Sequence, residues 1–307
     1  LQMDINFHIP DLLLHYRLNI ILYETLQNHP EYFHEGVRIG SVYGAFPGAM
    51  WNGGRFTGNF KCDEKTMAQA IKEYNDRGIP VRYTFTNPLI EEKHLGNPLC
   101  NKMLRLANNG MNEVIVNSPI LEKYIRENYP KFKITSSTCK ELKTAEAVNA
   151  ELEKDYNLVV LDYNWNNNFE FLESIERKDK CELLINACCI PNCPRRGEHY
   201  RTIGAQQIEY AEHMHDITPY KMNTDFPCEY QCQNLYKTIG YKTHISPDAL
   251  YNKYVPMGYN QFKIEGRTNP DISVLENFVY YMIKPEYQNL ARLEMAEWLT
   301  DKVKYFN

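Results

Sequence analysis

The sequence predicts an α/β fold: a (β/α)8 barrel of the TIM type with a long cysteine-containing insertion between its seventh and eighth strands. Three observations carry that prediction. Short runs rich in β-branched and aromatic residues alternate with segments of helical periodicity, the pattern of a parallel sheet whose crossovers are helices. The strand count reaches eight, and 307 residues suit one barrel with an insertion. No glycine-rich dinucleotide loop follows the first strand, where a doubly wound open sheet would usually carry one. We read 1–307 as a single domain, with 188–260 as the insertion and 285–307 as a C-terminal helix.

The first strand is DINFHI (4–9), and an apolar helix follows over about 11–30. VRIGSVYG (37–44) is the second strand and runs into a glycine-rich loop, AFPGAMWNGGR, that reaches Arg55. The helix at 64–76 repeats apolar or small residues at Met67, Ala70, Ile71 and Tyr74, and Gly78 suits its left-handed stop. VRYTFT (81–86) is the third strand, and a helix near 98–108 ends at Asn109-Gly110. EVIVN (113–117) meets Ser118-Pro119, an N-cap followed by proline at the first helical position. FKITSST (132–138) precedes a helix over about 142–155, and NLVVLDY (157–163) precedes one near 168–177. CELLINA (181–187) is the seventh strand and QFKIEGR (261–267) the eighth, with helices at about 271–283 and 285–303 closing the chain.

A net charge of −5 argues against a broad basic face for duplex nucleic acid. No run approaches the roughly 18–20 apolar residues that cross a bilayer. The start, LQMDINFHIPDLL, lacks the basic flank and unbroken apolar core of a signal peptide. The expectation is a cytoplasmic protein without membrane insertion. Nine cysteines, an odd number in a large chain, argue against a disulfide framework.

In a barrel of this type the C-terminal strand ends share one face and share the chemistry. Those ends carry His8, Arg55, Thr86, Asn87, Asn117, Thr138, Asp162, Asn164, Cys188, Cys189 and Arg267. Strand ends are also polar simply because they meet water, so the collective pattern counts for more than any member. From it we take Arg55, Asn87, Asn117, Arg195 and Arg267 as candidate substrate-binding residues. Asp162 and Glu265 are the candidates for handling protons. Arg195 and Arg196, beside the cysteines, suit either an anionic substrate or the balancing of cluster charge. Trp51 and Tyr163 are candidates for stacking on a planar substrate.

The cysteines are more specific, because five of the nine fall between 188 and 232. Cys189-x3-Cys193 and Cys228-x3-Cys232 form two short chelate loops able to give four thiolates to one centre, an iron–sulfur cluster or zinc. Zinc ribbons commonly use Cys-x2-Cys, so the x3 spacing favours a cluster. Cys188 is an alternative to Cys189. Cys62, Cys100, Cys139 and Cys181 read as ordinary buried or loop thiols. His213-x-His215 reads as solvated helix surface. In the eighth strand Phe262 and Ile264 share one face and Lys263, Glu265 and Arg267 the other. A barrel's outer face is apolar, so the charged set should point inward, with a Lys263–Glu265 pair or an anion anchor at Arg267 as its use.

HISPDALYNKYVPMGYNQFKIEGR (244–267) resembles the hallmark of the collagenase-like peptidase superfamily, the peptidases of unknown catalytic type numbered thirty-two. VRIGSVYG with its following NGGR, EVIVNSP, ITSSTCKE and CELLINACC resemble further family segments in the right order, and together they span residues 37–283. The resemblance implies a TIM-like barrel, a [4Fe–4S] cluster on four cysteines and oxygen-independent hydroxylation of a small aromatic molecule or an RNA base. A related subunit is a further partner expectation, tied to the non-catalytic reading below. Two features depart from the pattern: the first cysteine segment is CCIPNCPRRG, and the sixth strand ends in Asp162-Tyr163-Asn164 rather than Arg-Glu. The rival readings are a peptidase-like hydrolase using a metal-bound water, for which neither HExxH nor GxSxG is present, and a non-catalytic metal-containing barrel serving as a subunit of a complex.

Overall fold

Eight parallel strands close into a barrel in sequence order. The computed structural model of the chain describes residues 3–54, 61–230 and 235–304. The strands are β1 (Ile5–Pro10), β2 (Val37–Gly44), β3 (Val81–Phe85), β4 (Glu113–Val116), β5 (Lys133–Ser136), β6 (Leu158–Val160), β7 (Cys181–Leu184) and β8 (Gln261–Lys263). β8 closes the ring on β1, pairing Phe7 with Phe262 and His8 with Lys263. The predicted barrel is therefore the observed one. The later strands are shorter than predicted, because tilted neighbours share only a brief ladder while inward–outward alternation runs on past its end.

That alternation builds the core. Val81, Tyr83 and Phe85 of β3, and Cys181, Leu183 and Ile185 of β7 and its extension, are buried in the apolar layer under the helices. Arg82, Thr84, Glu182 and Leu184 belong to the interior set. Around the barrel lie α1 (Tyr16–Asn28), α2 (Glu64–Asp76), α3 (Pro98–Ala107), α4 (Pro119–Asn128), α5 (Ala145–Leu152) and α6 (Phe169–Glu173). Most of them start on a side-chain cap. Asp63, Asn97, Ser118, Thr144 and Asn168 each accept a hydrogen bond from a backbone N–H in the first turn, worth about 1 kcal/mol apiece.

Two structures share the long connection between β7 and β8. The long α7 (Arg196–His213) and the short α8 (Leu235–Thr238) form the insertion proper. From Ser246, which caps Pro247 and its turn, the chain runs through α9 (Pro247–Ala249), a π-helical turn (Leu250–Tyr254) and α10 (Val255–Met257). This second segment is the crossover helix that any parallel pair needs, so the insertion is shorter than 188–260. α11 (Asp271–Met282) and α12 (Gln288–Lys304) close the chain. His213 and His215 lie on the exposed face at the end of α7, as expected, with His213 bonded to Asp216 at 2.9 Å.

Candidate functional site

A cavity of about 300 Å³ opens at the C-terminal end of the barrel. Its floor lies one layer above a buried ion network. Arg82, fully buried, donates from Nε to Glu113 at 2.7 Å and from Nη1 to Glu182. Lys263 lies above this layer, its Nζ 3.9 Å from Glu182 and 4.2 Å from the Tyr43 ring centroid. Lys263, Glu265 and Arg267 all line the cavity, so the inward face of the eighth strand is as predicted. The Lys263–Glu265 pair is not formed as expected: Lys263 reaches Glu182 on β7, and Glu265 accepts instead from the backbone N–H of Cys188 at 2.9 Å. Asn186 and Glu265 exchange a second pair of bonds, Glu265 N to Asn186 Oδ1 at 2.7 Å and Asn186 Nδ2 to Glu265 O at 3.0 Å. The cysteine segment is thereby stapled to the KIEGR strand.

Arg267 acts on the loop after β2. Its Nη1 donates to Asn52 Oδ1 at 3.0 Å and Thr84 Oγ1 at 2.8 Å, and its Nη2 to the Gly53 carbonyl at 2.7 Å. The Asn-Gly-Gly sequence is required there. A Cβ on Gly53 would lie 2.5 Å from Thr86 Oγ1, and Gly54 has φ +79°. Arg55, the next residue and a predicted substrate ligand, lies outside the described residues.

The opposite wall carries thiols. Cys188, Cys189, Cys193 and Cys228 all line the cavity, and so does Cys139, which the sequence analysis reads as an ordinary buried or loop thiol. Arg195 brings the two cysteine segments together. Its Nη1 donates to the Pro227 carbonyl at 2.6 Å, beside Cys228, and its guanidinium lies 4.3 Å from the Phe226 ring centroid. His199, one turn along α7, stacks on the same Phe226 at 4.1 Å. Glu198 takes the two remaining Arg195 donors at 2.9 Å each.

Tyr163 helps to separate Cys188 from Cys189. Burial, and then the nearby Cys189 and Cys193 thiols, push the Tyr163 phenol up. Cys188 bears instead on Tyr281 of α11, on the other side. Cys189 and Cys193 thus both lie near Tyr163 and Cys188 near Tyr281, while all three line the cavity. Cys232 lies outside the described residues. Among the described residues no three His, Cys, Asp or Glu side chains are grouped closely enough to hold a metal ion. The donor chemistry nevertheless suits a thiolate-bound group: three of the four predicted cysteines, all soft sulfur donors, line one cavity beside Arg195 and Arg196.

The other predicted site residues divide. Asp162 is buried and does not line the cavity; its Oδ1 accepts from the Asn164 backbone at 2.9 Å, and its Oδ2 accepts from Arg196 Nη1 at 2.8 Å. It anchors α7 through Arg196 rather than lining the cavity. Asn87 is fully buried and donates to the Met50 and Gly204 carbonyls at 3.0 Å each, tying the loops after β2 and β3 to α7. Asn117 is half-buried and away from the cavity lining. Trp51 is fully buried with Nε1 bonded to the His94 carbonyl at 2.9 Å, so it cannot stack on a substrate; Tyr163 lines the cavity and can.

Comparison with known proteins adds the family. Residues 39–185 match the model of peptidase family U32. That match covers just under half of the chain and places its likeness to the family in β2 through β7. The resemblance read from NGGR, EVIVNSP and ITSSTCKE is borne out at that level, and the match stops three residues short of Cys188. A solved structure titled as the U32 peptidase Mk0906 superposes with a TM-score of 0.51 at 13% identity, covering 87% of this chain and 95% of that one. At that identity the likeness is one of fold. No curated protein matches the chain.

One cluster in the barrel has the composition of a hydrolytic triad. His8 Nδ1 lies 2.7 Å from Ser41 Oγ, and His8 Nε2 lies 2.9 Å from Gln261 Oε1 and 3.5 Å from Glu182. Ser41 and Glu182 are fully buried, His8 nearly so, and none of the three lines the cavity. Burial, and then Arg82, hold His8 at about 3, so it is neutral at ordinary pH. The cluster is barrel interior and meets no substrate. Sequence reasoning missed the Arg82–Glu113–Glu182 layer and the Asn186 staple. Charges at inward positions of strands 3, 4 and 7 were the signal for the first, since a charge in mid-strand of a closed barrel must find a partner inside it.

Proposed function

We propose that the chain is a redox enzyme holding a [4Fe–4S] cluster on Cys189, Cys193, Cys228 and Cys232 at the barrel mouth, and that it acts by oxygen-independent hydroxylation on a planar aromatic ring or nucleobase. One observation carries the reading: thiols from two segments 35 residues apart, Cys193 and Cys228, line one cavity together with Cys189. Soft thiolates suit such a cluster, and Arg195 and Arg196 offset its negative charge. When bound, the cluster supplies one-electron transfer at the mouth of the cavity.

The chain's own residues do the rest. Tyr163 and Tyr200 offer aromatic faces for a planar ring. The hydroxyls of Thr84, Thr86, Ser137 and Thr138 give its edges hydrogen-bond partners. Arg195 keeps the two cysteine segments together, Glu265 fixes the backbone at Cys188, and Arg267 holds the Asn52–Gly54 loop in place as a wall.

Anaerobic purification tests the reading. The expected product is a brown protein with about four irons per chain and matching sulfide. Cys193→Ala should lose that iron while Cys62→Ala, away from the cavity, keeps it. A colourless protein with stoichiometric zinc, or full iron retention in Cys193→Ala, would overturn the assignment.

A further inference from the structure

Lys263 stands apart from every feature used so far. It is the amine at the floor of the cavity, carried by the last barrel strand and directed inward, with its side chain 14% exposed and only into that space. Charged and titratable groups face it from all around the ring. They are Glu182 on β7, Arg82 on β3, His8 on β1, Tyr43 on β2, Cys139 after β5, and Glu265 and Arg267 beyond β8. A lysine in such a place has a specific chemical capability. Amines become nucleophiles at moderate pH when they are desolvated or placed beside other cations, because both disfavour the ammonium.

We propose that Lys263 is an imine-forming amine, its Nζ condensing with the carbonyl carbon of an aldehyde or ketone that enters the cavity. The nitrogen lone pair attacks the carbonyl carbon, and the C=O π pair moves to oxygen, which takes up a proton. The resulting carbinolamine expels that oxygen. Both protons of the neutral amine leave with it as water, and a C=N bond remains, so the step needs no oxidant or reductant. The Thr84, Thr86, Ser137 and Thr138 hydroxyls line the same cavity and can solvate the oxygen as it leaves. Glu182, 3.9 Å from Nζ, stabilises the protonated imine as it does the ammonium.

The electrostatics agree with the geometry. Burial first, and then Arg82 and Arg267, lower the Lys263 ammonium to about 8 against the opposing pull of Glu182. Near pH 8 the neutral amine is therefore on the order of 100-fold more abundant at Lys263 than at an ordinary exposed lysine. The chemistry shares the cavity of the proposed redox site but uses neither thiol nor metal, so the two readings stand or fall separately.

Selective labelling tests it. The full chain, as purified and with its iron content measured on the same sample, is incubated with dilute propanal and cyanoborohydride, and each lysine's alkylation is followed by peptide mass spectrometry. At pH 8 Lys263 should be alkylated at least tenfold faster than exposed lysines such as Lys93 and Lys123, in samples with or without iron. The preference should shrink as pH rises toward 10 and the exposed amines lose their protons. Prior Lys263→Arg substitution, which keeps the charge over Glu182, should remove only the fast-labelled site. Labelling of Lys263 no faster than Lys93, or a preference independent of pH, would overturn the proposal. The wild-type chain alone yields that answer, so the test survives a variant that fails to fold.

Discussion

Arg82 is the side chain on which the barrel interior depends most. It is fully buried, and its guanidinium neutralises two buried carboxylates, Glu113 and Glu182. Burial pushes the Glu182 carboxyl up, and Arg82 with the other nearby cations more than reverses that, holding it at about 2. Removing one partner of such a network leaves uncompensated buried charge, whereas removing all of it can be nearly neutral. Arg82→Met should therefore cost about 3–5 kcal/mol in urea unfolding. Adding Glu113→Gln and Glu182→Gln should recover most of that loss. A triple variant no more stable than the single one would mean that the network contributes packing rather than charge compensation. Arg267 is a different case, since it donates to two side-chain oxygens and a carbonyl of the loop it borders. The sequence placed it at the mouth, and the structure makes it a clamp on the loop that ends at Gly54.

Among the elements, α7 decides whether the cysteine segments meet, and its first turn is pinned by Arg196. That side chain is buried, bonded to Asp162 at 2.8 Å and Thr138 Oγ1 at 3.0 Å, and lies 4.5 Å from the Tyr163 ring centroid. Asp162→Asn keeps the Oδ1 acceptor for Asn164 but turns an amide toward the guanidinium. Amide hydrogen exchange should accelerate in residues 196–207 while β3 and β4 stay protected, the signature of local opening. Uniform acceleration through the barrel would instead mark Asp162 as a determinant of global stability. The fold was legible because periodicity two and periodicity three to four alternate cleanly, and caps such as Asp63 and Ser118 mark the helix starts. Strand ends were less legible, since alternation continues through Glu265 and Arg267 after the ladder has stopped at Lys263. The cavity's thiol wall was legible as clustered cysteines. The contacts beneath the opposite wall were not, because Lys263 meets Glu182, and Glu265 meets Asn186, only when strands 7 and 8 close the ring. Asp162, Asn87 and Asn117 looked alike as polar strand ends. Only tertiary contacts distinguish a residue that faces the cavity from one that ties loops together.

At the scale of the whole molecule, buried histidines set how stability responds to acid. Burial, and then Arg82, lower His8 to about 3, and burial lowers His244 to about 4. Both values are below the unfolded value near 6.5, so between pH 6.5 and 4 the unfolded chain binds more protons and acid favours unfolding. His15 has the opposite sign. Burial opposes its imidazolium, but bonds to Asp271 at 2.6 Å and the Gly266 carbonyl at 2.9 Å raise it, so its contribution is complete below pH 6.5 and fades as pH rises through its folded value. Glu182 and Glu151, each held at about 2, retain their stabilisation until pH falls below about 4.5. His8 and His244 therefore weaken the fold in the first part of an acid titration, and the fully buried His8 alone should remove about 2 kcal/mol by pH 5. Urea unfolding at pH 7 and pH 5 measures the difference. His8→Gln, which takes away the most strongly lowered ring, should reduce the loss between pH 7 and pH 5 by about 2 kcal/mol, even if the variant is less stable at both values. An unchanged slope would mean that His8 is protonated inside the barrel, and the neutral tautomer that accepts from Ser41 and donates to Gln261 would have to be abandoned.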